Sequence, residues 1–137
     1  VLLPKLEAFE KYELEERNKF AKLYNEKLKD VVKTPLILEG YISSYAQYTL
    51  ILENEEERNN LQAKLKEIGI PTMIYYPIPL HKQIVYNGYD FNLEDLKVSE
   101  NLCKCVLSLP MHPYMSEEQI EKISNEIIKI LKEFRNN

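Results

Sequence analysis

Apolar residues recur at helical spacing in four stretches of this chain, and short apolar runs separate these stretches. The first stretch extends from Val1 to about Asp30 and predicts one long N-terminal helix. Three shorter helices are predicted to follow Asn54, Asn92 and Ser116, because each of these side chains can accept a hydrogen bond from the first turn of a helix. The residues expected to face the core in these three helices are Leu61, Leu65 and Ile68, then Leu96, Leu102 and Cys103, then Ile120, Ile123, Ile127, Ile130 and Phe134.

The helix ends carry further signals. Glu57 and Gln119 stand three residues after their cap residues, which is the spacing of a capping box. Gly69 and Pro71 predict the end of the second helix, because glycine accepts a left-handed backbone and proline stops helical hydrogen bonding. The first helix also has a charged face that includes Glu13. That face is interpreted as solvated, with contact to a partner subunit as the alternative.

The apolar runs between the helices predict strands. The strongest candidate is Tyr45 to Leu52, and a short buried strand is predicted from Val106 to Leu109. Thr34 to Leu38 is a candidate edge strand because Pro35 cannot donate a backbone hydrogen bond. A fourth strand is predicted from Thr72 to Tyr76. The order of elements predicts an α+β fold: a small, mostly antiparallel sheet with helices packed on one side and a long N-terminal helix.

Composition limits the classes of function. The chain has 137 residues, of which 45% are hydrophobic, so a single domain with its own core is expected. The net charge of −4, without a basic stripe, argues against binding to nucleic acid. No apolar run approaches the roughly 18 residues that a membrane span requires.

Cys103 and Cys105 are the only cysteines. One intervening residue is too few for the usual zinc spacing, and no further ligands accompany them, so no metal site is predicted. Two reduced thiols at a junction between helix and strand are expected instead, which suits a reducing, cytoplasmic location.

The segment from Pro71 to Gln83 concentrates polar side chains on a stiff backbone. Tyr75, Tyr76 and His81 are separated by a Pro-Ile-Pro sequence that holds the chain extended. Such a segment can present two phenols and an imidazole to a small molecule. The simpler interpretation is a strand, a proline-rich turn and a surface histidine.

Residues 76–83, Tyr-Pro-Ile-Pro-Leu-His-Lys-Gln, resemble the Tyr-Pro-x-Pro-Leu-His-x-Gln signature of the DegT/DnrJ/EryC1/StrS sugar aminotransferases. These are pyridoxal phosphate (PLP) enzymes of aspartate aminotransferase fold type I. Three other blocks agree in order. Residues 2–9 and 16–24 resemble the long helix after the catalytic core of the family, and residues 44–49 its Tyr-x-Gln-Tyr strand. Residues 106–113, followed by 116–120, resemble its closing strand and last helix.

The resemblance implies that residues 1–137 form the C-terminal small domain of a longer aminotransferase. The lysine that binds PLP and the aspartate that pairs with the pyridine nitrogen would lie in an upstream domain, so this fragment is expected to bind no cofactor, to contain no catalytic residue and to be inactive alone. Lys5, Lys82 and Lys104 are no substitute, because the chain has three glycines and no glycine-rich phosphate loop.

The resemblance further implies the activity of the full enzyme. It would transfer an amino group, usually from glutamate, to a nucleotide-linked keto sugar, with PLP as cofactor and a homodimer as the assembly. The variant found here looks closest to members that act on acetamido keto sugars, whose products feed surface polysaccharides or glycan modification.

The same resemblance implies that Tyr75, Tyr76 and His81 contact or shape the site for the sugar nucleotide. Many relatives have histidine where Tyr75 stands, and a phenol does not change protonation near neutral pH, so proton transfer is not assigned to it. Tyr45 and Gln47 complete the predicted substrate site. Strand alternation would place these two on one face, with Gln47 either buried or facing solvent.

Two other classes of function remain open on the sequence. One is a stand-alone regulatory α+β module that binds a small molecule without converting it. The other is an interaction domain whose helix from Leu2 to Leu28 pairs with a partner. His112, in Pro-Met-His-Pro-Tyr, is interpreted as a structural turn histidine.

Overall fold

A computed structural model describes residues 2–136 of the chain. Its helices are α1 (Leu2–Ala8), α2 (Leu14–Leu28), α3 (Glu55–Glu67), α4 (Leu93–Cys105) and α5 (Glu117–Arg135). A π-helical turn, Phe9–Glu13, joins α1 to α2, and two 3-10 turns occupy Leu80–Lys82 and Ile84–Tyr86. The strands are β1 (Tyr48–Ile51) and β2 (Val106–Leu109).

The long N-terminal helix is confirmed from Leu2 onward, and Val1 lies outside the described residues. Pro4 stands in its first turns, where a missing backbone donor costs little. The π-helical turn widens the helix by one residue, and the Leu14 N–H donates to the Phe9 carbonyl. The helix buries residues only from Glu13 onward, whereas α1 buries none.

The two strands pair antiparallel, with Tyr48 opposite Leu109 and Ile51 opposite Val106. The predicted strand at 106–109 is confirmed, and the one at 45–52 shortens to residues 48–51. The edge strand predicted at 34–38 and the strand predicted at 72–76 do not form as regular strands. Lys33, next to the first segment, makes one bridge with Ile51, and Met73 of the second segment makes one bridge with Ser108. Prolines near both segments remove backbone donors, so neither ladder extends.

The predicted caps form with one change. Ser116 accepts from the Gln119 N–H and the Gln119 side chain accepts from the Ser116 N–H, so the capping box of α5 is confirmed. Asn54 caps α3 by accepting from the Glu57 N–H. The Glu57 carboxylate accepts from the Glu53 N–H instead of the Asn54 N–H, so the predicted box at α3 is incomplete.

The core lies between the sheet and the helices, and α5 packs against both α2 and α3. Its largest fully buried side chains include Tyr24, Tyr48, Leu28, Leu50, Leu61, Leu65, Leu107, Ile120, Ile127 and Leu131. Ile68 was predicted to be buried but is 48% exposed, because the chain leaves the helix at this residue and turns at Gly69. Leu96, Leu102, Cys103 and Phe134 are half-buried. The predicted α+β class is confirmed.

Cys105 ends α4 and β2 starts at the next residue, so the cysteines lie at the predicted helix-to-strand junction with free thiols. Among residues 2–136 there is no cluster of three or more histidine, cysteine or acidic side chains that could hold a metal ion. Over the same residues, no helix combines the length and apolarity needed to cross a bilayer.

Candidate substrate-binding site

A cleft of about 230 Å³ opens at one end of the two-stranded sheet. We call it the sheet-end cleft, and its lining includes Gln47, Thr72, Tyr75, Ser108 and Met111. Most of its polar groups are neutral hydrogen-bonding groups: an amide, a phenol and hydroxyls. A surface of this kind can bind hydroxyl or amide groups of a ligand without a fixed charge.

Gln47 and Tyr75 reach this cleft from different parts of the chain. Gln47 immediately precedes β1, and Tyr75 lies two residues after Met73. Met73 and Ser108 exchange two backbone hydrogen bonds of 3.0 and 2.9 Å, and Ser108 also pairs with Thr49 of β1, so β2 joins the two segments. Gln47 is exposed and Tyr75 is 51% exposed, so both side chains are accessible to a ligand. Two of the five predicted site residues therefore meet in one cleft.

Tyr45 is buried and does not line this cleft. It is 7% exposed, and its ring centroid is 6.1 Å from that of Tyr48. Tyr45 has a positive φ of 41°, which takes it out of the strand, so strand alternation does not place it on one face with Gln47. That part of the sequence prediction is wrong. Burial raises the pKa of the Tyr45 hydroxyl, and Arg17 Nη1 donates to the Tyr45 carbonyl at 2.9 Å.

His81 lines a second cavity, of about 350 Å³. We call it the histidine pocket, and it is lined by Leu80, His81, Tyr86, Phe91, Leu96 and Ser99. The His81 side chain is only 7% exposed, and its Nε2 lies 2.9 Å from Glu100 Oε1. Tyr76 is 73% exposed and lines neither of these two cavities.

Glu100 is a residue of this region that the sequence analysis missed. Its Oε1 also lies 2.9 Å from Lys82 Nζ. The hydrogen bond with His81, and then the one with Lys82, hold the pKa of the Glu100 carboxyl below its usual range. No local pattern links residue 100 to residue 81, because the pairing depends on how α4 packs against the proline-rich segment.

The fold is one that occurs in a solved aminotransferase. The structure superposes on a DegT DnrJ EryC1 StrS aminotransferase from Brucella abortus with a TM-score of 0.86 and 47% identity, covering 94% of this chain and 34% of that chain. The chain belongs to the DegT/DnrJ/EryC1/StrS aminotransferase family, whose model matches residues 1–128.

Two of the curated relatives are named for UDP-linked acetamido sugars. The UDP-2-acetamido-2-deoxy-3-oxo-D-glucuronate aminotransferase of Pseudomonas aeruginosa is 44% identical over 124 residues, which are 90% of this chain and 33% of the relative. The UDP-N-acetyl-3-dehydro-alpha-D-glucosamine 3-aminotransferase of Acidithiobacillus ferrooxidans is 37% identical over 92 residues, 67% of this chain and 24% of the relative. The chain thus spans a third or less of the length of these relatives.

The three lysines considered in the sequence analysis line neither of the two cavities described above. Lys5 and Lys82 are committed to ion pairs with Glu13 and Glu100, and Lys104 is exposed. The three glycines stand in separate turns, so they form no glycine-rich loop for a phosphate group.

Proposed function

We propose that this chain is the C-terminal small domain of a PLP-dependent aminotransferase that aminates a nucleotide-linked keto sugar. The observation that carries the proposal is the 44% identity over 124 residues to the Pseudomonas relative. The names of both relatives support a UDP-linked 2-acetamido sugar with a ketone at C3 as the substrate. The amino donor is proposed to be glutamate, and the product a 3-amino sugar for surface polysaccharides or glycans.

In this proposal the sheet-end cleft forms one wall of the substrate site. The Gln47 amide and the Tyr75 phenol both donate and accept hydrogen bonds, as recognition of sugar hydroxyl and acetamido groups requires. Tyr76 and His81 contact the substrate or shape its site from the proline-rich segment. PLP would supply the electron sink for the reaction when bound by the remainder of the longer protein.

Exposed apolar side chains support a place within a larger assembly. Leu2 and Leu3 of α1 are 82% and 74% exposed, and Leu36, Tyr41 and Ile42 are 74–81% exposed. Apolar surface of this extent is typical of interfaces. We propose that these faces pack against the remainder of the longer protein or its second subunit, and that the assembly is a homodimer.

The test is made on the full-length enzyme. It is incubated with glutamate and a UDP-linked 2-acetamido-3-keto sugar, and the amino sugar is measured by mass spectrometry while bound PLP is followed by visible absorbance. Formation of the 3-amino sugar supports the proposal. Binding of the nucleotide sugar without amination, and without bound PLP, would favour a stand-alone binding module instead.

His81→Ala in the full-length enzyme is expected to weaken use of the keto sugar and to spare PLP binding. The variant loses the charge-assisted hydrogen bond between the His81 ring and Glu100. We therefore expect kcat/KM for the sugar to fall about tenfold. His112→Ala is the matched control, because His112 is an exposed turn histidine whose Nδ1 accepts a hydrogen bond from the Tyr114 N–H. Unchanged sugar kinetics in the His81 variant would remove His81 from the proposed site.

A further inference from the structure

The proline-rich segment between residues 73 and 82 is fastened at both ends to one continuous unit. At its start, Met73 exchanges backbone hydrogen bonds with Ser108 of β2. At its end, His81 pairs with Glu100 of α4. Because α4 ends at Cys105 and β2 begins at the next residue, both fastening points belong to a single α4–β2 unit with no loop between them.

The backbone between the two fastening points is stiff. Pro77 and Pro79 fix two φ angles, and Pro79 is extended at φ −60° and ψ 148°. A displacement at His81 is therefore transmitted toward Tyr75 and Tyr76 instead of being absorbed by local rotation. These tyrosines are exposed between the two ends.

The attachment at residue 81 depends on one carboxylate oxygen, Oε1 of Glu100. Glu100 Oε1 lies 2.9 Å from both His81 Nε2 and Lys82 Nζ. The imidazole is held from its other sides by the histidine pocket, where the Phe91 ring meets it edge-on at 6.0 Å between centroids. Lys82 is 53% exposed, so the buried contact is the one that His81 makes.

We propose that Glu100 is a positioning residue for the substrate site: its carboxylate holds His81 in the histidine pocket and thereby sets where residues 75–81 stand beside the sheet-end cleft. The inference rests on the proposed function for the identity of the substrate. The placement of residues 75–81 does not depend on the proposed function, and it can be measured separately.

The test compares Glu100→Ala and Glu100→Gln with Glu94→Ala in the full-length enzyme. The glutamine side chain can still accept from the His81 ring and from Lys82, whereas alanine cannot. Glu94 is an exposed glutamate on the same helix, and its carboxylate pairs with Lys97, so it is a matched control. Hydrogen exchange is measured at the Lys82, Gln83 and Tyr86 amides, which close the turns after Pro79.

Glu100→Ala is expected to raise the KM for the keto sugar about tenfold and to leave the KM for glutamate unchanged. It should also speed exchange at the three amides. Glu100→Gln should restore most of both properties, and Glu94→Ala should change neither. Failure of the wild-type enzyme to aminate the sugar would overturn the proposed function, and the exchange data would then decide the positioning role. Unchanged exchange in Glu100→Ala would overturn the positioning role, whatever the activity.

Discussion

Glu13 is buried, although the charged helix face to which it belongs was expected to be solvated. It belongs to the charged face of the first helix, yet it is fully buried at the end of the π-helical turn. Lys5 Nζ lies 2.6 and 2.7 Å from its two oxygens, and the Tyr114 hydroxyl donates to Oε1. The hydrogen bond from Lys5, and to a smaller extent the one from Tyr114, hold the pKa of the Glu13 carboxyl below its usual range. The carboxylate thus joins the first helix to the loop before α5.

This network predicts a pH dependence of stability. Because folding lowers the pKa of Glu13, its ionised form stabilises the fold above the ordinary carboxyl range, and this contribution disappears as the pH falls through the lowered pKa. Glu13→Gln is expected to be less stable than the wild type at neutral pH, and the difference should narrow in acid. Denaturant unfolding across this pH range measures it, with the exposed Glu10→Gln as the control. A difference independent of pH would contradict the assigned role.

At the scale of elements, α5 depends on both its apolar face and its first turn. The face buries Ile120, Ile123 and Ile127 against neighbouring helices. The first turn leaves backbone N–H groups without helical partners, and the Ser116–Gln119 box satisfies two such donors. The position of the helix start is therefore set by the local sequence.

Ser116→Ala is expected to lower the free energy of unfolding by about 1 kcal/mol, because the Gln119 N–H loses its acceptor. Ser116→Asp should keep most of the stability, since a carboxylate also accepts this bond and suits the positive end of the helix dipole. Urea unfolding of the three proteins measures the effect. Equal stability of the alanine variant and the wild type would show that water replaces the cap at no cost.

At the scale of the whole molecule, Arg135 connects three elements that are distant in sequence. Its Nε donates to Glu57 Oε1 at 2.6 Å, and Nη1 donates to the Val31 carbonyl at 2.8 Å. The Glu57 side chain is only 2% exposed. The guanidinium therefore joins the end of α5 to the start of α3 and to the turn after α2.

Arg135→Ala is expected to destabilise the fold by about 2 kcal/mol, because it leaves a buried carboxylate without its charged partner. Lys132→Ala, which removes an exposed cation from the same last turn, should remain close to the wild type. Thermal and denaturant unfolding compare the two variants. If both variants lost a similar, small amount of stability, the hydrogen bond from the Glu53 N–H alone would be enough to satisfy the Glu57 carboxylate.

The sequence by itself determined the features that depend on neighbours along the chain. The first helix, the box at Ser116, the turn at Gly69 and the strand at Val106–Leu109 follow from periodicity and from side chains that bond within a few residues. The family resemblance also rests on residues that are contiguous in each block. The segment carrying Tyr75 and His81 was singled out for the same reason.

Only the tertiary structure decided which distant groups meet. The pairing of His81 with Glu100, the burial of Glu13 and the use of Glu57 by Arg135 join residues 19 to 101 positions apart. Tyr45 adopts a left-handed backbone outside the strand, no regular strand forms at 34–38, and the segment at 72–76 keeps a single bridge. Local periodicity cannot predict these contacts. Their free energy depends on packing and on the loss of water from groups that only the folded chain brings together.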